Sequence, residues 1–329
     1  MTTAGTVQTV RGPVGVDTLG RTLMHEHIFS FHSDMGADYP WAEEELYVEG
    51  AIDKLKRLKA AGFGTVVDLT VIGLGRDVAR VARVARAADV NVIAATGIYA
   101  SCCMPTYFSR RLPTAGPAFM EDHFVREIED GIGETGIRAA VIKCVTDREG
   151  LTADVEFILE SAARAQRRTG VPISTHTDPF TETGLLQQRV FRREGVDLGS
   201  VIIGHSGDTT DLDYLDRLIS AGSYVGMDRF GDYAVTSLED RVRTIARLCD
   251  RGYASRIVLS HDANCGGDIR PADSLKNWYF GHVPQVVVPA LREHGVGEAD
   301  IDLMLTGNPR EIFRAASADT HPKDEGGHA

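Results

Sequence analysis

Short apolar runs recur along this chain of 329 residues, and amphipathic stretches separate them. Eight runs have the length and composition of strands: TLMHE (22–26), TVVDLT (65–70), NVIAATG (91–97), AAVIKC (139–144), PISTHT (172–177), SVIIGH (200–205), SYVGMD (223–228) and RIVLSH (256–261). They are apolar nearly throughout, as parallel strands buried on both faces are. Between them, 47–62, 76–89, 152–170 and 237–252 carry apolar residues at helical spacing. In the last, Val242, Ile245, Ala246 and Cys249 share one face, and Gly252 suits a C-terminal cap.

Repeated strand–helix units predict an α/β fold of the (β/α)8 TIM-barrel type, with a doubly wound open sheet as second choice. The whole chain, 1–329, reads as a single domain. Residues 1–20, with RGPVG as a turn, form a short N-terminal hairpin in this reading. Residues 21–316 form the barrel with its closing C-terminal helices, and 317–329 a flexible tail. The stretch 263–284 after the eighth strand is longer than ordinary loops and reads as a functional lid.

Composition narrows the class. A hydrophobic share of 43% supports a large core. A net charge of −12 without a basic cluster argues against nucleic acid and anionic membrane partners. The N-terminus MTTAGTVQTVRG lacks an apolar signal core, and no run approaches the ~18 apolar residues of a membrane span. Five cysteines (Cys102, Cys103, Cys144, Cys249, Cys265) show no CxxC pattern. The expectation is a reduced, cytoplasmic protein. The vicinal pair Cys102–Cys103 reads as packing thiols near the barrel mouth.

The polar residues inside the apolar runs carry the chemistry. Alternation puts His25 and His27 on one face of the first strand, within reach of one metal, with Glu26 pointing away. Lys143 lies within the fourth strand, and His176, His205 and His261-Asp262 end the fifth, sixth and eighth. In a barrel these ends converge on one mouth, where barrel active sites lie. That convergence points to a metal centre. Burial lowers a lysine pKa, and neutral amine reacts with carbon dioxide to form an anionic carbamate that can bridge two metals. The competing readings of Lys143 are an outward-facing residue, a pair with Asp147 or Glu149, or a Schiff-base lysine.

The ordered set His25-x-His27, Lys143, His176, His205, Asp262 resembles the binuclear amidohydrolase superfamily. The wording LMHEH, VIKC, ISTHT, IGHSGDTTD, GMDRFG and LSHD is similar to its phosphotriesterase family, most of all the phosphotriesterase-like lactonases, over roughly residues 7–316. The resemblance implies one metal on His25, His27 and Asp262 and a second on His176 and His205. N6-carboxylated Lys143 and a hydroxide would bridge them. The hydroxide would attack a lactone carbonyl, often of an N-acyl-homoserine lactone of quorum sensing, with side activity on organophosphate triesters. Asp262 would shuttle the proton to the leaving alkoxide, Tyr99 would hydrogen-bond near the hydroxide or carbonyl, and Arg229, oriented by Asp208, would contact Asp262 or the lactone oxygens. It also implies a homodimer, with a contact around Tyr39, Pro40 and Trp41. Zinc is the default metal, and Co, Mn or Fe suit the same donors.

Where several family members carry YCC after the strand-eight SHD, this chain has Ala263-Asn264-Cys265. The loop aromatics Tyr107, Phe108, Trp278 and Phe280 read equally as packing or substrate contacts. Gly73-Leu74-Gly75 lacks the third glycine of a dinucleotide fingerprint, and Gly204-His205-Ser206-Gly207-Asp208 lacks the last glycine of a serine nucleophile elbow. The function expected is therefore a binuclear metal-dependent lactonase. A primary phosphotriesterase is the alternative, and an inactive metal-dependent binding barrel a remote one.

Overall fold

The computed structural model describes residues 5–32, 44–268 and 278–318. The hairpin is present as β1 (Thr6–Thr9) and antiparallel β2 (Gly12–Gly15). Each of the eight predicted strands follows: β3 (Arg21–Ser30), β4 (Phe63–Asp68), β5 (Asn91–Gly97), β6 (Val141–Thr146), β7 (Ile173–Thr177), β8 (Val201–Ile203), β9 (Tyr224–Met227) and β10 (Ile257–Leu259). A further strand, β11 (Asn264–Gly267), lies inside the stretch expected to be a lid and pairs in parallel with β3, Asn264 opposite His27. Among the described residues these nine strands form one parallel sheet in the order β10-β9-β8-β7-β6-β5-β4-β3-β11. Between β10 and β11 the chain also bonds to β3: Asp262 N–H donates to His25 O (2.9 Å) and His27 N–H to Ala263 O (2.9 Å). These bonds close the (β/α)8 barrel.

The predicted helices appear as α1 (Glu44–Ala60), α2 (Val78–Ala88), α5 (Ala153–Thr169) and α8 (Leu238–Asp250); α3 (Thr106–Ala115) and α4 (Phe119–Glu129) fill the connection after β5, and α6 (Thr183–Arg193) and α7 (Leu212–Ser220) those after β7 and β8. Alternation along the strands divides the core in two. In β5, Val92 and Ala94 pack toward the helices, while Ile93 and Ala95 face the barrel interior. In β6, Ile142 and Cys144 face the helices and Val141 faces inward. Lys143, two residues beyond Val141, therefore lies on the inner face. Gly97, paired with Lys143, lets β5 approach β6 closely here. It has φ 128°, and a Cβ there would lie 1.9 Å from Lys143 O.

Val7 and Val16 of the hairpin region and Ile312 and Phe313 of the last helix (Asn308–Ala318) join the inner cluster. They close the end of the barrel opposite the strand C-termini, leaving one mouth. The dimer contact expected at Tyr39, Pro40 and Trp41 lies outside the described residues, as do 269–277 of the expected lid and 319–329 of the tail. No helix among the described residues is long and apolar enough to cross a membrane.

Candidate metal centre

The C-terminal ends of the strands deliver the sequence-predicted residues to one cavity. Its lining includes His25 and His27 from β3, Lys143 from β6, His176 from β7, and His205, Arg229 and Asp262 from just beyond β8, β9 and β10. Ser30, Leu74, Tyr99, Asn264 and Trp278 complete the wall. On β3 the pairing with β4 shifts register between Leu23 and Glu26. Such an irregularity re-aims side chains. His205 (φ 58°) and Asp262 (φ 56°) both sit in the left-handed region, which is costly for residues other than glycine.

The imidazoles are oriented from behind. Asp228, which the sequence reading left without a role, accepts His25 Nδ1–H at 2.8 Å through Oδ2. Through Oδ1 it accepts the His205 backbone N–H at 2.8 Å and its Nδ1–H at 3.0 Å. Burial would raise the Asp228 carboxyl, but the neighbouring His25, Lys143 and Arg229 bring it below its ordinary value. A carboxylate only accepts, so both rings carry their proton on Nδ1 and present the Nε2 lone pair to the cavity. Thr70 Oγ1, which donates to Phe29 O (3.2 Å), orients His27 through Nδ1 at 2.8 Å in the same way.

The freed atoms converge. Asp262 Oδ1 lies 3.2 Å from His27 Nε2 and 3.5 Å from His25 Nε2, and Oδ2 lies 4.0 Å from His205 Nε2. His205 Nε2 is 2.8 Å from His176 Nδ1, and Lys143 Nζ 2.8 Å from His25 Nε2. The His25, His27 and Asp262 donor atoms lie within 4.8 Å of one another, close enough to share one ion. Burial lowers the pKa of His25 and His176 and takes His205 well below its ordinary value, so the rings are neutral, as metal ligands must be. Burial also pulls Lys143 down to about 8, against the opposing pull of Asp262 and Asp228. Burial would raise Asp262, but His25, His27, His205 and Arg229 outweigh it and hold the carboxyl well below the carboxylate range. Packed lone pairs beside an ionised carboxylate are a donor set that divalent cations satisfy, so the residues fit a metal centre.

Arg229 joins this set to its surroundings. Its Nε donates to Asp262 Oδ2 (3.1 Å) and its Nη1 to Asp208 Oδ2 (2.8 Å), while Arg241 Nη2 lies 2.7 Å from Asp208 Oδ1. Lys143 is 1% exposed and meets His25, whereas Asp147 faces His176 Nε2 at 3.4 Å, so Lys143 neither faces outward nor pairs with Asp147. Glu26 points away from the ligand atoms, as its place in the strand predicts, yet it is fully buried. It accepts from Ser260 Oγ (2.7 Å) and from the backbone N–H of His261 (2.8 Å) and Ala263 (3.0 Å). Glu26 thus holds the segment that carries Asp262. Asp228 and Glu26 show in the sequence the same anomaly as Lys143: an ionisable residue in or ending an apolar run.

The loop residues divide. Tyr99 packs its ring edge-on to His176, centroids 5.7 Å apart. Trp278 lines the cavity and donates Nε1–H to His261 O at 2.6 Å. Phe108 and Phe280 are core residues, and Tyr107 is exposed on α3. Cys102 and Cys103, expected to pack near the mouth, are both exposed, in the loop before α3 begins.

Known proteins share this frame. The chain is 50% identical over 316 residues to a Mycobacterium tuberculosis protein named phosphotriesterase homology protein, covering 93% of this chain and 97% of that one. A solved structure, titled as the phosphotriesterase from Mycobacterium tuberculosis, superposes with a TM-score of 0.91 at 50% identity, over 94% of this chain and 98% of that one. An aryldialkylphosphatase of Saccharolobus solfataricus is 36% identical over 303 residues, 90% of this chain and 95% of that protein. At 25% identity over 347 residues, 94% of this chain and 97% of that protein, stands an N-acetyltaurine hydrolase of Xenopus tropicalis. The model of the phosphotriesterase family matches residues 5–313, and the chain belongs to this family of hydrolases, which use a binuclear metal centre.

Proposed function

We propose that the chain is a metal-dependent lactonase that opens N-acyl-homoserine lactones or other γ- and δ-lactones, with phosphotriester hydrolysis as a side activity. In this reading His25, His27 and Asp262 hold one divalent ion and His176 and His205 the other. Lys143, carboxylated on Nζ, is shared between them. Zinc is the default, and Co, Mn or Fe suit the same donors. When bound, the ions supply Lewis-acid polarisation of the carbonyl and an acidified water. A lysine lowered to about 8 by burial carries an appreciable neutral fraction near neutral pH, and the neutral amine is the form that takes up carbon dioxide. Carboxylation replaces a buried cation with an anion the centre can use.

The observation that carries the lactonase reading is the Asp262–Arg229 pair at the cavity wall. Opening a lactone expels an alkoxide, a poor leaving group that must receive a proton. An aryl phosphotriester expels a phenolate, which needs none. In the proposal Asp262 Oδ2 takes the proton of the attacking water and passes it to the ring oxygen as the C–O bond breaks. Arg229, held by Asp208, keeps Oδ2 turned toward the ring. Tyr99 hydrogen-bonds the substrate carbonyl from the facing wall. The proposal includes action in the cytoplasm, as a homodimer, on small-molecule esters.

A primary phosphotriesterase is the second reading, favoured by the 36% identity to an aryldialkylphosphatase. A pH-stat assay of the metal-loaded protein separates them. Its panel holds acyl-homoserine lactones, simple γ- and δ-lactones, an aryl phosphotriester and N-acetyltaurine. The highest kcat/KM is expected on a lactone. A phosphotriester or amide ahead by about tenfold, equal to 1.4 kcal/mol of transition-state stabilisation, reverses the ranking.

A further inference from the structure

The loop between β5 and α3 enters the hydrolytic reading only through Tyr99, yet further along it carries Cys102 and Cys103 side by side and exposed. The other three cysteines differ. Cys144 and Cys265 are buried and Cys249 is half-buried, and burial pushes each of their thiols up to about 12. The two exposed thiols interact: the hydrogen bond that the Cys103 thiol donates to its neighbour Cys102 is the first cause that raises it, and Asp154 adds to the effect. The backbone around them is clamped on both sides. Thr152 Oγ1, at the start of α5, donates to Cys102 O at 2.6 Å, and Met104 N–H donates to Asp154 Oδ2 at 2.9 Å. The result is a pair of adjacent thiols on a held loop, a few residues after Tyr99.

We propose that Cys102 and Cys103 form a chelating site for neutral, monosubstituted trivalent arsenicals. An organoarsenic oxide, R–As=O, reacts with both thiols. Two As–S bonds form, the As=O bond is lost, and the oxygen leaves with the two thiol protons as one water. Arsenic stays trivalent, so no oxidant or reductant is needed. The surroundings select this class over a divalent metal ion. A tetrahedral ion wants four ligands, and among the described residues both groupings able to hold one lie at the barrel mouth. Asp154 beside the pair opposes the build-up of two thiolates, whereas the arsenical adduct is neutral.

The test uses the pre-reduced, metal-loaded protein with phenylarsine oxide as probe. Aromatic disulfide reagent should find two fast thiols in the untreated protein. One equivalent of phenylarsine oxide should block both, and intact mass should show one phenylarsenic group per chain. A 1,2-dithiol should reverse the block, and a monothiol should not. Cys102→Ser and Cys103→Ser should each weaken binding by about 100-fold, the loss expected when a two-point attachment becomes one-point. The proposal fails if the two fast thiols stay reactive after one equivalent, or if either single serine variant binds as tightly as the parent. The thiol count on the unmodified protein decides the matter even where a variant folds poorly.

Discussion

Asp228→Asn isolates the contribution of the carboxylate behind the metal ligands. The substitution keeps shape and volume and leaves one acceptor oxygen. That oxygen can continue to accept from the His205 backbone N–H and Nδ1–H, now at 2.8 and 3.0 Å. The amide NH2 then faces His25 Nδ1, 2.8 Å from the present Oδ2. Two donors meet there. The His25 ring must either lose its partner or move its proton to Nε2, which removes the lone pair aimed at the cavity. Loss of one such outer partner costs about 10–100-fold in metal affinity, or about 1.4–2.7 kcal/mol. Asp228→Ala removes the support of both rings and should reach the product of two such losses, about 10²–10⁴-fold. Chelator competition followed by metal analysis measures each affinity separately. The Asn variant should lose affinity for the ion assigned to His25 and His27 and largely keep the one assigned to His176 and His205. Retention of both ions within about threefold of the parent, or selective loss of the other ion, would refute the orientation argument.

Lys143→Ala should release the metal pair and cut hydrolysis by more than the about 100-fold of an outer-residue loss, with partial rescue by short carboxylic acids; full activity in this variant rules out the carboxylated lysine. Arg229→Lys removes the planar fork that spans Asp262 and Asp208, so kcat/KM on a lactone should fall by about 100-fold, while an aryl phosphotriester with its phenolate leaving group should lose less than about tenfold. Equal losses on both substrates would detach Arg229 from alkoxide departure. Outside the cavity lining, Arg76 Nη1 and Nη2 donate to Glu127 at 2.8 and 2.6 Å, and Thr96 Oγ1 adds a third bond at 2.6 Å. Burial pushes Glu127 up, but His123, Arg76 and Thr96 overcome it and bring the carboxyl from 4.5 to about 2. Below 4.5 the unfolded chain takes the proton first, so this stabilisation is complete above that pH and is lost as pH falls toward about 2. The shift is equivalent to about 3 kcal/mol. Denaturant unfolding of Glu127→Gln across pH 2–7 should show a loss of about that size at neutral pH and a flatter acid limb; an unchanged acid limb contradicts the assignment.

Strand–helix alternation carried much of the fold, the strand ends gave the cavity residues, and period-two reasoning ordered the first strand. It put His25 and His27 together on one face of the first strand, with Glu26 opposed. The structure keeps each of these relations. It did not anticipate the second half of the eighth strand. Asn264–Gly267 reads as loop because its two glycines and asparagine lack strand propensity. The pairing is imposed from far along the chain, by β3, and by Glu26, which accepts from Ser260, His261 and Ala263. Gly267 belongs to that fit, since a Cβ there would lie 2.5 Å from Ser30 O. Asp228 escaped for a related reason. An aspartate ending an apolar run resembles an ordinary strand terminus, and its role appears only when β3 and β8 bring two imidazoles to its two oxygens.

What the pattern could not show at all is backbone strain, and it falls on the ligands. Of the four non-glycine residues with positive φ among the described residues, Asp89 and Glu182 cap or join helices, while His205 and Asp262 end barrel strands. Glycine would hold either turn more easily but offers no donor atom. The surrounding bonds hold the strained turns in place. The His205 N–H is fixed by Asp228 and the Asp262 N–H by His25 O, while Arg229 secures the Asp262 carboxylate. Each of these partners also orients or contacts a donor of the centre. The same few contacts therefore stabilise two unfavourable turns and aim the cavity's lone pairs. Substitutions at Asp228 should for this reason disturb metal affinity and the local backbone together.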